Sequence, residues 1–177
     1  MTVKTLFLMP LAAVQLRRPA AQSRVLSVSR EYPERPVVGV GGVVVHGGRV
    51  LLARRGRPPL LGEWSIPGGA LEVGETLVEG VRRELREETG LEVSPVAVLE
   101  VLDRIVRDEQ GRPQYHYVLI DYLCRVEQAE ARAATDVTEC CWAARAELPA
   151  YELRPDTRRV VEAALDAAAR HPAFTGQ

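Results

Sequence analysis

Aromatic side chains are scarce in this sequence, with two Phe, two Trp and five Tyr among 177 residues. So few rings cannot build a platform on which successive bases of a single strand stack, which excludes that mode of nucleic-acid binding. An excess of one charge is missing too. The 23 basic residues stand against 24 acidic ones, so nothing in the bulk charge would draw the chain to a polyanion. There are three cysteines, Cys124, Cys140 and Cys141, without zinc spacing. Cys140 and Cys141, adjacent in an expected strand, point to opposite faces. All three are read as buried, reduced thiols of a cytosolic protein. No apolar run is long enough to span a bilayer. Thr5 to Val14 is apolar but broken by Pro10. No acidic residue precedes Glu31, whereas Lys4, Arg17, Arg18, Arg24 and Arg30 all fall there. A secretory signal would not place Arg17 and Arg18 between its apolar run and a cleavage site. The pattern suits a transit segment, a disordered tail or an upstream-extended start. The expectation is a dispensable extension on a cytoplasmic protein.

What is present organises the rest. The length fits one domain. Tyr32-Pro33-Glu34-Arg35-Pro36 reads as an extended linker, so residues 1–36 are set apart from a domain over 37–171, with a tail at 172–177. Val37 to Val45 reads as a buried strand, His46-Gly47-Gly48 as a turn and Arg49 to Arg54 as the returning strand of a hairpin. A short strand is expected over Glu63 to Pro67, a loop over Gly68 to Gly74 and a helix over Glu75 to Thr89 stopped by Gly90. Strands follow over Val93 to Arg107, Gln114 to Arg125 and Cys140 to Ala144. The helix over Pro155 to His171 carries Val160, Val161, Ala164, Leu165 and Ala168 on its apolar face.

The most informative stretch is Gly69 to Leu91, GALEVGETLVEGVRRELREETGL. At about 100° per residue, Glu84, Glu87 and Glu88 form one acidic stripe on the helix. Leu77, Val78, Val81 and Leu85 make its apolar face, and Glu88 borders that face. An Arg/Glu-rich helix is often only a solvated surface with i,i+4 pairs. Carboxylates clustered at a buried edge, however, resist ionisation unless a cation joins them. The simplest such cation is hard and divalent, Mg²⁺ first, which takes oxygen ligands and brings phosphate oxygens with it. Arg83, four residues before Glu87 and after Glu79, can brace a carboxylate by charge-assisted hydrogen bonds. Glu75 falls nearly opposite Glu84 around the helix, so a helix N-terminal role is preferred for it. Gly80 lies in the stripe and either keeps space clear for the metal or serves packing. Arg54 and Arg55 either clamp a phosphate or form a solvated basic pair.

Gly69, Glu75, Arg83, Glu84, Leu85, Glu87, Glu88, Gly90 and Leu91 fill every fixed place of a signature, and the segment resembles the Nudix hydrolases. The resemblance implies a mixed-sheet α/β/α sandwich and hydrolysis of a nucleoside diphosphate linked to another moiety. It implies Mg²⁺, or Mn²⁺, held by Glu84, Glu87, Glu88 and the carbonyl of Gly69. One of the glutamates or a loop acid then serves as base, the loop acid carried over being Glu139. ADP-ribose-type substrates come first, because VGVGGVVVHGGRVLLARRG and GEWSIPGG look like bacterial ADP-ribose pyrophosphatases. The proline that many of those carry about fifteen residues after the signature is missing from Asp103 to Asp108. The alternatives are a pool-cleaning nucleoside triphosphate pyrophosphohydrolase and a non-catalytic nucleotide sensor. A small nucleotide is the expected partner, without nucleic acid or membrane, and a homodimer is implied by family habit.

Overall fold

Val43 and Val45 on the first strand pack with one helix, while Val40 and Val44 on the same strand pack with the other. The computed structural model describes residues 30–58 and 60–174. Its strands are β1 (Val37–His46), β2 (Arg49–Arg55), β3 (Trp64–Ser65), β4 (Gly68–Ala70), β5 (Val93–Arg107), β6 (Pro113–Val126) and β7 (Val137–Ala144). The helices are α1 (Leu77–Thr89) and α2 (Pro155–Arg170), with a 3₁₀ segment at Arg145–Tyr151. A strand buried on both faces has no polar side to show, which is why β1 reads as an almost unbroken apolar run.

The sheet path is β3-β2-β1-β6-β5. β1 runs parallel to β6 and antiparallel to the others it meets, so the sheet is mixed. β2 also pairs with β7 along its length. α1 covers one face over Val40, Val44, Leu51 and Leu91, and α2 covers the other over Val43, Val50, Leu52 and Leu123. This is the expected α/β/α layering. The five apolar positions foreseen on α2 are all buried. On α1, Val81 and Leu85 are fully buried, but Val78 is 37% exposed and does not belong to the core face.

The loop expected over Gly68 to Gly74 is in part a strand. β4 pairs antiparallel with β1, Gly41 opposite Gly68 and Val40 opposite Gly69. Gly68 takes a φ of 153°, and a Cβ there would run into the Val40 carbonyl and lie 2.8 Å from the Gly41 Cα. Glycine is therefore required for the two chains to meet. α1 starts two residues later than expected. Thr76 caps it, sharing a capping box with Glu79, whose Oε2 accepts the Thr76 N–H at 2.8 Å. Gly90 closes it in the left-handed conformation, as foreseen. Glu75 thus stands before the helix. Gly80 serves packing: a Cβ there would lie 2.8 Å from Leu71 Cδ1. β7 begins at Val137, so Glu139 lies within the strand and not in the loop before it. The expectations for residues 1–29 lie outside the described residues. No helix among the described residues is long and apolar enough to cross a membrane.

Candidate active site

α1 carries Glu84 and Glu88 one turn apart beneath β4. Glu88 is only 6% exposed, and its Oε2 accepts the Gly68 N–H at 2.8 Å. Burial pushes its carboxyl up to about 7, against the pull of the Gly68 N–H and Arg55, while Glu84 and Asp136 add to the rise. Burial also raises Glu84, in spite of Arg83. A Cβ at Gly69 would collide with the Glu84 carboxylate, so the backbone of β4 lies directly against that group. Glu87 is half exposed.

Arg83 ties the site together. Its Nε donates to Glu75 Oε1 at 2.6 Å, and its Nη2 to Glu75 Oε2 and to the Ala70 carbonyl, both at 3.0 Å. Nη1 donates to Glu84 Oε1 at 2.8 Å and reaches Glu87 at 3.5 Å. The principal partner is therefore Glu75, eight residues back, and not Glu79 or Glu87, because Glu79 is spent on the helix cap. The forked hydrogen bonds from Arg83 hold the Glu75 carboxyl down at about 2. Arg83 so fixes the entry to α1, the end of β4 and the Glu84 carboxylate in one arrangement.

No three His, Cys, Asp or Glu side chains among the described residues stand ready to grip a divalent cation together. Glu84 and Glu88 are desolvated, Glu84 lies against the Gly69 backbone with one oxygen on Arg83, and Glu87 is turned to Arg83. The oxygen-only donor set fits a hard cation such as Mg²⁺.

The two arginines of β2 part company. Arg54 donates to the Gly62 carbonyl at 3.0 Å and pairs with Glu139 at 3.6 Å. Arg55 lines a cleft of about 180 Å³, and its buried Nε has no partner. Glu139 is more than half exposed in its pair with Arg54. Strand alternation puts its neighbour Cys140 on the face of the core under α1, within electrostatic reach of Glu88. The loop acid coupled to Glu88 is Asp136. Cys124 is buried, but Cys140 and Cys141 are only half-buried, and no disulfide joins any of the three. Burial pushes Cys124 up to about 12 and Cys140 up to about 11, so both stay protonated thiols.

The cleft lies between α2 and the face of β1, β6 and β5. Gly68, Gly69 and Arg55 line it beside the glutamates, and Leu102, Leu119, Tyr115 and Tyr117 give it apolar walls. Two of its residues escaped the sequence reading. Asp121 is 6% exposed, and burial pushes its carboxyl up to about 6. Arg104 crosses to α2, where Nη2 meets Asp156 Oδ2 at 2.5 Å. The available signal for Asp121 was one carboxylate interrupting Val118-Leu119-Ile120-Asp121-Tyr122-Leu123.

Similarity to known proteins agrees with this arrangement. An ADP-ribose pyrophosphatase of Methanocaldococcus jannaschii is 36% identical over 104 residues, 59% of each chain. The 8-oxo-dGDP phosphatase NUDT18 of Homo sapiens is 31% identical over 134 residues, covering 72% of this chain and 39% of that protein. The chain thus spans less than two thirds of these curated relatives. The crystal structure of a MutT NUDIX hydrolase from Burkholderia pseudomallei superposes with a TM-score of 0.63 at 33% identity, over 73% of this chain and 98% of that one. The NUDIX domain model matches residues 34–164, which takes in the whole sheet, the whole glutamate stripe and α2 as far as Ala164, and the chain belongs to the NUDIX family.

Proposed function

We propose that this chain is a Mg²⁺-dependent hydrolase, with Mn²⁺ able to substitute, that cleaves the pyrophosphate linkage of a small nucleotide. The observation that carries the reading is the buried carboxylate of Glu88 with the partly buried one of Glu84, beside a cleft that Arg55, its buried Nε without a partner, also lines. Acid residues alone would repel a polyphosphate, and an arginine alone would only bind one. NUDIX proteins in general require a divalent metal. When bound, such an ion polarises phosphoryl oxygens and lowers the pKa of a coordinated water. Glu84, Glu87, Glu88 and the Gly69 carbonyl are the groups that would hold it. Glu87, half exposed at the rim of the stripe, accepts the proton of the attacking water. Arg83 positions Glu84 and β4, and Arg55 orients a phosphate. Glu139, turned to Arg54, has no part in this scheme.

ADP-ribose-type compounds are the first substrate reading, supported by likeness to the archaeal pyrophosphatase. A second reading, a purine nucleoside triphosphate, is favoured by the carboxyl of Asp121 in the cleft. The half-buried thiols accord with the cytoplasm, and a homodimer is the expected assembly. The test is a panel of ADP-ribose, nucleotide sugars and nucleoside triphosphates with Mg²⁺ and with EDTA, resolving nucleotide and phosphate products. Mg²⁺-dependent cleavage between the phosphates supports the reading. Tight nucleotide binding without turnover would make the protein a sensor.

A further inference from the structure

We propose that the outer edge of β5 pairs with the same strand of a second copy, antiparallel about a two-fold axis at Ile105, so that one sheet runs through a homodimer. The inference gives the expected homodimer a surface, and it does not depend on what the cleft cleaves.

β5 ends the sheet path and pairs with β6 alone among the described strands. Such an edge leaves a row of N–H and C=O groups open to another chain. Its first part is guarded. It holds Pro95, and its register shifts between Pro95 and Ala97 and again between Val98 and Glu100. From Glu100 to Val106 the register is unbroken and no proline interrupts it. Leu102, Arg104 and Val106 face the cleft, so alternation puts Val101, Asp103 and Ile105 on the side of α1. The core beneath α1 takes in Val93 but no later residue of β5. Val101 is therefore 61% exposed and Ile105 43%, with Val98 and Val38 also exposed on that face.

Charge decides the occupant and the register. Asp103 and Arg107, opposite in sign and both exposed, stand two residues either side of Ile105. Asp103 has no hydrogen-bond or ion-pair partner among the described residues. Arg107 gives only its Nη1, to the Gly111 carbonyl at 2.9 Å. Two charges of one sign would guard the edge against its own copy, whereas these match it. A two-fold sets residues equally far from the axis opposite each other. With Ile105 on the axis, Asp103 lies opposite the partner's Arg107, Arg107 opposite the partner's Asp103, and the two Ile105 side chains meet. Neighbouring registers fail. An axis at Asp103 or Arg104 sets like charges face to face. An axis at Leu102 sets Asp103 against apolar Val101, and its Glu100–Arg104 pairs are pre-empted, because α2 already holds Glu100 through Arg159 and Arg104 through Asp156. An axis at Val106 leaves only Ile105–Arg107 to pair, since β5 ends there. On the other face of the favoured ladder Val106, which lines the cleft, falls beside the partner's Arg104, so the second copy borders the cleft.

The test is sedimentation equilibrium of the full chain from about 1 to 200 µM, with melting to check folding. A weak, concentration-dependent dimer is expected, because a ladder over 103–107 makes a small interface. Asp103→Arg or Arg107→Asp alone sets like charges opposite each other twice and should weaken the dimer about tenfold or more. The two together restore the matched pairs and should restore the dimer. Hydrogen exchange on the wild type needs no variant: amides within 103–107 should gain protection as concentration rises. A wild type that stays monomeric, single variants that dimerise as well as wild type, or a double variant that stays apart overturns the proposal. The readout is mass and not turnover, so a dimer that cleaves no nucleotide would overturn the hydrolase reading and leave this surface standing.

Discussion

Glu88→Gln should weaken the enzyme and strengthen the metal-free fold at the same time. The Glu88 carboxyl titrates at about 7 in the folded chain, against 4.5 for an ordinary glutamate. Below pH 4.5 the group is protonated in both folded and unfolded chains and costs nothing. Between the two values the unfolded chain has released its proton and the folded one keeps it, so stability falls as pH rises. Above pH 7 the full penalty of about 3 kcal/mol is present. The amide oxygen of Gln can still accept the Gly68 N–H that Glu88 now receives at 2.8 Å. The variant should then be more stable than wild type at pH 8 without metal, by about 1–3 kcal/mol, or roughly 3–8 °C in Tm for a chain of this size. At pH 4.5 the two should melt together. Adding Mg²⁺ should stabilise the wild type more than the variant, and Mg²⁺-dependent turnover should fall by orders of magnitude. Melting in EDTA at both pH values, beside kcat against Mg²⁺ concentration, checks all of this. A variant that melts earlier than wild type at pH 8 yet keeps its kcat would refute the reasoning, because the carboxylate would then be a structural acceptor and not a held-back metal ligand.

Arg83→Lys keeps the charge but loses the fork that grips both Glu75 oxygens, Glu84 and the Ala70 carbonyl at once; a loss of about 1–2 kcal/mol in stability and a clear fall in kcat are expected by thermal melting and steady-state kinetics. Arg55→Ala should raise KM for a polyphosphate substrate much more than Arg54→Ala, since Arg54 is engaged by Gly62 and Glu139; equal effects of the two would remove Arg55 from the phosphate. Deleting residues 1–29 should leave melting temperature and turnover near those of the full chain, because the buried core runs only from Val40 to Ala168 among the described residues. An insoluble or inactive truncation would show that the segment belongs to the fold.

Much of the architecture could be read from local pattern because local physics decides it. The unbroken apolar run of β1 required two covered faces, and the spacing of Val160, Val161, Ala164, Leu165 and Ala168 required a helix on one of them. Gly90 ended α1 through backbone freedom that needs no partner. β4 was not legible, since three residues with two glycines have no strand propensity and pair only because β1 also offers glycines at Gly39 and Gly41. The placement of Glu139 failed for a similar reason: pairing with Arg54 on β2 extended β7 backwards from the residues whose composition marks a strand.

The candidate site divides in the same way. Helical spacing alone puts Glu84, Glu87 and Glu88 on one stripe, because neighbours on a single helix are set by the 3.6-residue turn. The oxygen-rich chemistry of a divalent cation follows from residue type. That Arg55 and not Arg54 lines the cleft, and that Asp121 and Arg104 both line it, depends on chain segments far apart in sequence. Those contacts arise from the register of β6 on β1 and β5 and from the docking of α2, where Asp156 holds Arg104 across 52 residues. Spacing along one helix is a property of the sequence, whereas which distant side chains share a desolvated cleft is a property of packing, and only the tertiary structure decides it.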